Sequence, residues 1–430
     1  MVSCSTPRST RIRGERARGQ RRGTIDRSAR SLTPLPVLDA RGLRSAILTA
    51  VKNPAPAIDL TGAARLVVED HRAAPCAVVA AAKRTSSGWI HGAGAAGTLS
   101  FEEGAPRADL DTPFDLASVT KPITALVMAR LARHGSLTRS EPLVDLVPTL
   151  ANTRSARVSL DLLSAHRAGL DAHGSLYGPL VRGERVDVEA ALVMAADARR
   201  EDCTGEPPPE GFPPVYSDLG YVLLGVALAQ RSGLDLDALV TREVTGPLDL
   251  DIGSARILRA KNSSFDARVA PTEIVPFRDG LVRGVVHDEN AWALVGHASA
   301  GHAGLFGDAR SVVRLGIAVL EALSGDRRDF LDPDDLALLV RPRPGGSLLA
   351  GFDRRSGDAP SSGARLGPRT FGHLGFTGTS LWIDPDAGFV GVLLTNRVHP
   401  TRTALAIRRA RPAAYDAMFD AMVEAQRAAG

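Results

Sequence analysis

The chain has 430 residues, of which 44% are hydrophobic and 23% are charged, proportions that predict a folded globular protein and exclude an extended disordered chain. No apolar run approaches the roughly 20 residues of a membrane-spanning helix, and no apolar stretch follows the basic start, so we expect no membrane span and no signal peptide. The expected location is the cytoplasm, with the periplasm as the alternative if the true start codon lies upstream of Met1.

The net charge of +4 is unevenly distributed. Residues 1–30 carry nine arginines against Glu15 and Asp26, which gives this segment a charge of +7 and leaves −3 for the remainder. Residues 1–40 also lack apolar periodicity, and we expect a disordered basic tail there. A basic tail can contact nucleic acid or anionic lipid, but the rest of the chain offers no aromatic stacking platform and no basic helix. We therefore expect no nucleic-acid partner, and no pattern indicates an oligomeric state.

In chain order, the apolar patterns predict strands at residues 75–82 and 88–94, helices at 118–134, 186–198 and 220–231, strands at 379–383 and 389–395, and an amphipathic helix at 413–428. Strands at both ends with helices between them predict an α/β (α+β) fold in a single domain, residues 60–430. An antiparallel sheet flanked by helices would come from about 60–135 and 300–430, and a mostly helical subdomain from about 136–299.

Lysine is rare in this chain, since only four of the 52 basic residues are lysine: Lys52, Lys83, Lys121 and Lys261. Arginine keeps its proton in proteins, whereas a desolvated lysine can act as a base. A lysine near a nucleophile is therefore informative. Cysteine, by contrast, is too scarce and too scattered to predict a disulfide framework or a zinc site: Cys4, Cys76 and Cys203.

Ser118 and Lys121 form an S-x-x-K pair at the start of the helix predicted at 118–134. Side chains three residues apart on a helix share a face, so the amine can reach the hydroxyl. The first backbone N–H groups of a helix have no partner within it and suit an oxyanion. The pair predicts an activated serine, although an S-x-x-K sequence also arises by chance.

Two further motifs lie downstream. Tyr216-Ser217-Asp218 follows a Pro-rich loop; a phenol beside an amine can act as general base to a serine, while the alternative is a packed loop tyrosine. The run from Gly372 to Ser380 leads into a strand, and its glycines allow close approach to a substrate backbone. His373 within this run can carry a positive charge or donate a hydrogen bond, or it can simply face solvent.

In this order and at these separations, the motifs resemble the serine β-lactamase and penicillin-binding-protein superfamily, above all its class C-like branch of esterases, peptidases and amidases. The resemblance covers about residues 60–430 and rests on residues 114–122 (FDLASVTKP), 162–170 (LLSAHRAGL), 216–225 (YSDLGYVLLG) and 371–385 (FGHLGFTGTSLWIDP). Residues 284–291 (GVVHDENA), 301–306 (GHAGLF) and 394–400 (LTNRVHP) are similar to bacterial members linked to muropeptide cleavage, some of them described as N-acetylmuramoyl-L-alanine amidases.

The resemblance implies a β-lactamase/transpeptidase-like fold and a serine hydrolase of esters or amides that needs no metal or organic cofactor. Ser118 would attack the acyl carbon, and Lys121 and Tyr216 would share the proton transfers. The backbone N–H groups of Ser118 and Phe376 would form the oxyanion hole. The expected substrate is a small ester or a muropeptide-like molecule. Substrate-facing roles fall to Asp218, His373, Gly375, Thr377, His287 and Asp288.

The chain departs from the family pattern at two positions. Asp218 replaces a common Asn, and its charge would hold Lys121 protonated, which makes Tyr216 the better base or makes the two titrate as a unit. Leu374 replaces a Thr whose hydroxyl binds a substrate carboxylate in relatives. This substitution argues against an efficient β-lactamase, unless Thr377 compensates.

Three alternatives remain at this stage. A metal hydrolase would use the cluster of His287, Asp288, Glu289, His297 and His302, but an H-E-x-x-H spacing is missing. An α/β-hydrolase would need a G-x-S-x-G elbow, which the sequence lacks. The third is a catalytically silent binding or scaffold domain, although every nucleophile and base position is filled. We expect His166 to be a structural residue of the turn before Gly169.

Overall fold

The computed structural model describes residues 58–429, and the predicted basic tail at residues 1–40 lies outside this range. The strands within it are Ile58–Asp59 (β1), Cys76–Thr85 (β2), Gly88–Gly97 (β3), Phe114–Asp115 (β4), Ile252–Ser254 (β5), Ile274–Val275 (β6), Gly280–Leu281 (β7), Leu305–Gly307 (β8), Asp353–Arg354 (β9), Phe371–Leu374 (β10), Ser380–Asp384 (β11) and Phe389–Thr395 (β12).

The α-helices of the same range are Thr61–Arg65 (α1), Thr120–Arg133 (α2), Leu143–Leu146 (α3), Leu160–Ser164 (α4), Gly178–Val181 (α5), Val188–Asp197 (α6), Asp218–Ser232 (α7), Leu236–Val240 (α8), Ala255–Lys261 (α9), Phe265–Arg268 (α10), Glu289–Val295 (α11), Ala309–Ser324 (α12), Pro333–Val340 (α13) and Ile407–Ala429 (α14). Shorter turns of 3₁₀ helix include Ala117–Val119, directly before α2. Among these helices, none combines the length and the apolar character that crossing a bilayer requires.

Seven strands from the two ends of the described chain form one sheet, in the order β1-β3-β2-β12-β11-β10-β9. The prediction of a sheet built from both chain ends, with helices around it, is confirmed. Every neighbouring pair is antiparallel except β1 and β3, which run parallel. The expectation of an antiparallel sheet is wrong for that pair. The strand β1 has only two residues, and a helical segment connects it to β2 where an antiparallel neighbour would need only a hairpin.

The central strand β2 explains why the sheet is covered on both faces. Its residues 76–82 are all buried, so the strand is a continuous apolar run and not an alternating one. Successive side chains still point to opposite faces: Val78 packs into one core, and Val79 into the other. Helix α12 covers the first face so closely that a Cβ on Gly316 would lie 2.4 Å from a methyl carbon of Val390. Helices α1 and α14 cover the second face.

Two features differ from the sequence prediction. Helix α14 begins at Ile407, six residues before the predicted start, and contains Pro412. Proline removes its own N–H donor and crowds the carbonyl four residues earlier, but the buried side chains of Ile407 and Ala410 before it and of Ala414 after it form one apolar face. The second feature is a small sheet of β4, β8 and β5, which pairs segments nearly 200 residues apart. Strands of two or three residues are too short to show a period of two in the sequence.

Candidate active site

Ser118 lies in the 3₁₀ turn between α2 and β4, a strand of the small three-stranded sheet. The preceding residue, Ala117, has φ of +48°, a left-handed conformation that favours glycine and costs free energy for alanine. The Asp115 carboxylate stabilises this bend, since its Oδ1 accepts a hydrogen bond from the Ala117 N–H at 2.8 Å. The bend presents a half-buried Ser118 to a cavity.

Lys121 lies one helical turn further on and is completely buried. Its ammonium donates to Ser118 Oγ at 2.9 Å, to Asp218 Oδ1 at 2.6 Å and to the carbonyl of His302 at 3.3 Å, which accounts for its three donors. Burial opposes the charge, but Asp218 and Tyr216 outweigh burial and raise the pKa of Lys121 above its ordinary value. The resting lysine is therefore a cation.

Asp218 is the first residue of α7, and Ser217 caps that helix by accepting the Gly220 N–H. Burial alone would raise the pKa of Asp218, but Lys121 and His173 lower it far below its ordinary range. The second carboxylate oxygen lies 2.9 Å from Nδ1 of His173, a largely exposed histidine whose pKa this contact raises. Asp218 thus lies between the buried Lys121 ammonium and a largely exposed imidazole.

Tyr216 completes the group around Ser118. Its ring centroid lies 4.7 Å from the Lys121 ammonium, and it stacks on His166 with centroids 4.7 Å apart. Burial raises the pKa of the phenol, and the nearby Lys121 and Ser118 only partly oppose that shift. In the resting protein Tyr216 is therefore neutral, and the proton-accepting form must come from the Lys121–Tyr216 pair as a unit.

His166 does more than the turn role expected for it. Its backbone has φ of +59°, and its buried ring accepts a hydrogen bond at Nδ1 from the Ser217 N–H at 3.0 Å. Burial, followed by the charge of Lys121, lowers the pKa of His166 to about 3, so the ring is neutral and can serve as this acceptor. His166 therefore holds the segment that carries Tyr216.

The loop after β10 packs directly against the segment before Ser118. Thr379 Oγ1 donates to the Leu116 carbonyl at 2.9 Å, and a Cβ on Gly375 would lie only 1.9 Å from that hydroxyl oxygen. Gly375 is therefore required for the close approach, as well as lining the cavity. Within the described residues, the N–H groups of Ser118 and Phe376 have no hydrogen-bond acceptor, which leaves both available to an oxyanion.

Thr377 and His373 lie differently from the prediction. Thr377 is buried, and its hydroxyl donates to the Asp115 carbonyl at 2.8 Å, so it fastens the loop and does not face a substrate. His373 is also buried, is absent from the cavity wall and lies behind Tyr216. Burial lowers the pKa of His373 to about 3, so neither a cationic nor a solvent-facing role fits it.

His287 and Asp288 line the cavity on the side of α11. The His287 N–H donates to Asp115 Oδ2 at 2.6 Å, while its buried ring stacks on Phe376 with centroids 5.6 Å apart. Asp288 Oδ1 accepts from His302 Nε2 at 2.7 Å. Asp115 therefore links the nucleophile bend to the opposite wall, a role that the sequence reasoning missed because a single Asp in a strand gives no signal.

The metal-site alternative does not match the geometry of the described residues. His302 is paired with Asp288, Glu289 contacts Arg402, and His297 lies 3.1 Å from the Arg259 guanidinium. No group of three or more potential ligand side chains converges within residues 58–429. The five residues of the cluster are neighbours in sequence and are distributed over separate contacts in space.

The cavity in front of Ser118 has a volume of about 620 Å³. Tyr216, Asp218 and Phe376, which the sequence analysis named, line it, and His173 and Tyr177 line it without having been predicted. The wall also contains four arginines that the sequence did not single out: Arg397, Arg402, Arg408 and Arg411. With arginine so frequent in this chain, no sequence signal distinguishes these four from the others.

Comparison with known proteins adds independent information. The family model described as beta-lactamase matches residues 64–415. Proteins of Salmonella paratyphi A and Salmonella enteritidis PT4, which carry the provisional name D-alanyl-D-alanine carboxypeptidase, are each 27% identical over 316 residues, covering 68% of this chain and 71% of theirs.

Solved structures show the same fold. EstCE1, a hydrolase with promiscuous acyltransferase activity, superposes with a TM-score of 0.61 at 22% identity, over 83% of this chain and 97% of its own. A class C beta-lactamase from Rhodobacter sphaeroides gives a TM-score of 0.60 at 19% identity, over 84% of this chain and 98% of its own. The predicted fold class is confirmed by these superpositions.

Proposed function

Since the chain belongs to the beta-lactamase family and is a serine hydrolase, we propose that it cleaves an ester or amide bond through an acyl-enzyme formed on Ser118. One observation carries the proposal: the buried Lys121 ammonium lies 2.9 Å from Ser118 Oγ, at the wall of a cavity large enough for a small substrate. A hydroxyl that only capped a helix would not need a buried cation beside it.

Acylation requires Ser118 Oγ to bond to the acyl carbon while its proton leaves. In the resting state Lys121 is an ammonium, Tyr216 is neutral and Asp218 is a carboxylate. The reactive form has one proton fewer on the Lys121–Tyr216 pair, which takes the serine proton and then passes a proton to the leaving group. A water molecule then attacks the acyl carbon and gives a proton to the same pair, which returns a proton to Ser118 Oγ as the bond between that oxygen and the acyl carbon breaks.

The negative charge that develops on the acyl oxygen needs two donors. The N–H groups of Ser118 and Phe376 suit this role because neither has an acceptor among residues 58–429. Gly375, Thr377 and Thr379 keep the two segments in contact. The oxyanion hole thus depends on the fit between the loop after β10 and the nucleophile bend.

The favoured natural substrate is a peptidoglycan fragment, cleaved at an amide or peptide bond, with small esters as surrogates. The names of the Salmonella relatives and the sequence runs around His287 and Arg397 support this choice. A β-lactamase is less favoured, because Leu374 supplies no hydroxyl for a β-lactam carboxylate. A catalytically silent binding domain is the remaining alternative.

Covalent labelling tests the proposal. Wild type and Ser118→Ala are incubated with a fluorophosphonate or a labelled penicillin, and the intact mass of each protein is measured. A stoichiometric adduct on the wild type alone is expected. If the folded wild type forms no adduct with either probe and hydrolyses no ester, the silent binding domain replaces the hydrolase. Release of product from muropeptides, p-nitrophenyl esters or penicillins then separates the substrate classes.

A further inference from the structure

The hairpin of β6 and β7 has an apolar outer face. Ile274 and Leu281 lie directly opposite one another in its ladder, so their side chains point to the same side, where they are 53% and 48% exposed. Val275 points to the other side and is buried. A hairpin with one face against the core ordinarily has polar side chains on the other. Two apolar faces therefore indicate that the outer face also meets an apolar environment.

More exposed apolar side chains lie beside this hairpin, at the mouth of the cavity in front of Ser118. The ring of Phe277, in the hairpin turn, stacks on Tyr177 of the cavity wall with centroids 5.9 Å apart. Phe376 and Leu405 line the same cavity and are about half exposed. We call these five side chains the apolar rim: Ile274, Phe277, Leu281, Phe376 and Leu405.

Hydrogen bonds join the parts of the rim into one surface. The Ile274 N–H donates to the Pro400 carbonyl at 3.0 Å, which holds the hairpin against the loop before α14. The Arg397 guanidinium donates to the Phe376 carbonyl at 2.9 Å and to the Ala404 carbonyl of that loop at 3.2 Å. The rim therefore exposes roughly 500 Å² of apolar surface in one place, a size typical of functional patches on monomers.

The charge next to the rim is mainly positive. Arg278 and Arg283 of the hairpin segment donate to backbone carbonyls. Arg408 and Arg409 are exposed at the start of α14. Among the described residues no carboxylate lies within 4 Å of these four guanidinium groups, and Asp279 is the exposed carboxylate of the hairpin turn. Exposed apolar side chains with cationic neighbours are the combination that binds anionic lipid.

We propose that the apolar rim inserts into the surface of an anionic lipid bilayer and holds the mouth of the cavity against it. The charge of +7 on residues 1–30 adds to the attraction, since an apolar group and a polybasic segment together bind a bilayer firmly. A second copy of the chain suits the rim less well, because a stable dimer buries about 800 Å² of each partner. The inference goes beyond the proposed function, because it concerns where the protein binds and not which bond it cleaves.

Sedimentation with vesicles tests the proposal on the full chain. Wild type is mixed with sucrose-loaded vesicles of phosphatidylcholine and with vesicles that contain equal parts of phosphatidylcholine and phosphatidylglycerol. We expect binding to the anionic vesicles that weakens as salt is added, and weaker binding to the neutral ones. Ser118→Ala should bind as wild type, which keeps the result independent of any hydrolysis. No binding to the anionic vesicles overturns the proposal.

Paired substitutions assign the binding to the rim. Ile274→Ser combined with Leu281→Ser should weaken binding to the anionic vesicles about tenfold or more, because two half-exposed apolar side chains no longer enter the lipid. Met194→Ser combined with Leu338→Ser is the matched control, since these side chains are 54% and 45% exposed on α6 and α13, outside the rim. The control should bind as wild type. If the rim variant also binds as tightly as wild type, the charge of residues 1–30 accounts for the binding and the proposal is overturned.

A fluorescent label measures insertion and does not depend on the folding of the serine variants. Leu281→Cys and Leu338→Cys are each made in a Cys4→Ser background, in which the remaining cysteines, Cys76 and Cys203, are buried. An environment-sensitive NBD group at position 281 should become brighter when anionic vesicles are added, and the same group at position 338 should not. Equal responses at the two positions overturn the proposal.

Analytical ultracentrifugation without lipid tests the competing occupant, a second copy of the chain. We expect the wild type and the variant with both Ile274→Ser and Leu281→Ser to sediment as the same species. A wild-type dimer that this variant dissociates would assign the rim to a second copy and overturn the proposal.

Discussion

Lys121 and Asp218 form a buried ion pair, with 2.6 Å between Nζ and Oδ1, in which the same ammonium donates to the Ser118 hydroxyl. A serine that accepts a hydrogen bond from a stabilised cation has no base beside it. One proton must first leave the Lys121–Tyr216 pair, and Asp218 opposes that loss. The ion pair therefore sets the pH at which the proposed reaction becomes fast.

Asp218→Asn tests this dependence. In the wild type the raised pKa of Lys121 should make kcat/KM increase with pH on the alkaline side of neutrality. Removing the carboxylate charge leaves burial, which lowers the pKa, so the ascending limb should move to lower pH by about one unit or more. The measurement is kcat/KM on a neutral ester from pH 5 to 11. Asp358→Asn, an exposed substitution, should leave the profile in place, and an unmoved limb in Asp218→Asn would refute the assignment.

His173→Gln should move the same limb in the opposite direction. Asp218 raises the pKa of His173, and the charge of Lys121 opposes that rise; by reciprocity, His173 lowers the pKa of Lys121 over the pH range in which the imidazole keeps its proton. Without His173, Asp218 acts on Lys121 alone, and the limb should rise by a few tenths of a pH unit, a small shift because the histidine is largely exposed. A shift of the limb to lower pH, as in Asp218→Asn, would contradict the prediction that His173 and Lys121 are coupled through the Asp218 carboxylate.

Local spacing explains why the sequence predicted part of this site. Ser118 and Lys121 are three residues apart, so a single helical turn brings them together whatever the rest of the fold does. The strands at 389–395 and the helices at 188–197 and 218–232 were likewise predicted within two residues, because their apolar patterns are long. Asp218 lies 97 residues from Lys121, and the family resemblance, not local spacing, indicated that it would keep Lys121 charged.

The rest of the site depends on contacts between distant parts of the chain. Asp115 meets His287 across 172 residues, and Arg411 reaches the cavity only because α14 packs back on the sheet that carries β10. His373 and Thr377 were placed in the substrate site from a motif. Their burial follows from the packing of β10 behind Tyr216 and of the next loop on Asp115, which no pattern along the chain encodes.

Thr377→Val tests the corrected role of this threonine. The substitution removes the hydroxyl that donates to Asp115 and keeps the shape of the side chain. We expect the free energy of unfolding to fall by about 1 kcal/mol, the contribution of one internal hydrogen bond. kcat should fall because the oxyanion loop loosens, while KM stays within about twofold, as expected where no substrate contact is lost. Thr377→Ser should restore both values, whereas a rise in KM alone would return Thr377 to the substrate site.

His166→Phe tests whether a neutral histidine positions Tyr216. Phenylalanine keeps an aromatic ring against Tyr216 but cannot accept the Ser217 N–H, and a buried donor left without a partner costs about 1–3 kcal/mol of stability. kcat should fall about tenfold or more, since an aligned proton acceptor contributes at least that much. The pH profile should keep its shape because His166 does not titrate near neutrality.

His166→Asn supplies a side-chain acceptor and suits the positive φ, so it should recover most of kcat despite losing the ring. Measurement of kcat, of the pH profile and of urea unfolding for both variants separates the two contributions. If His166→Phe keeps full kcat while its stability falls, the histidine supports the fold alone and does not position the base.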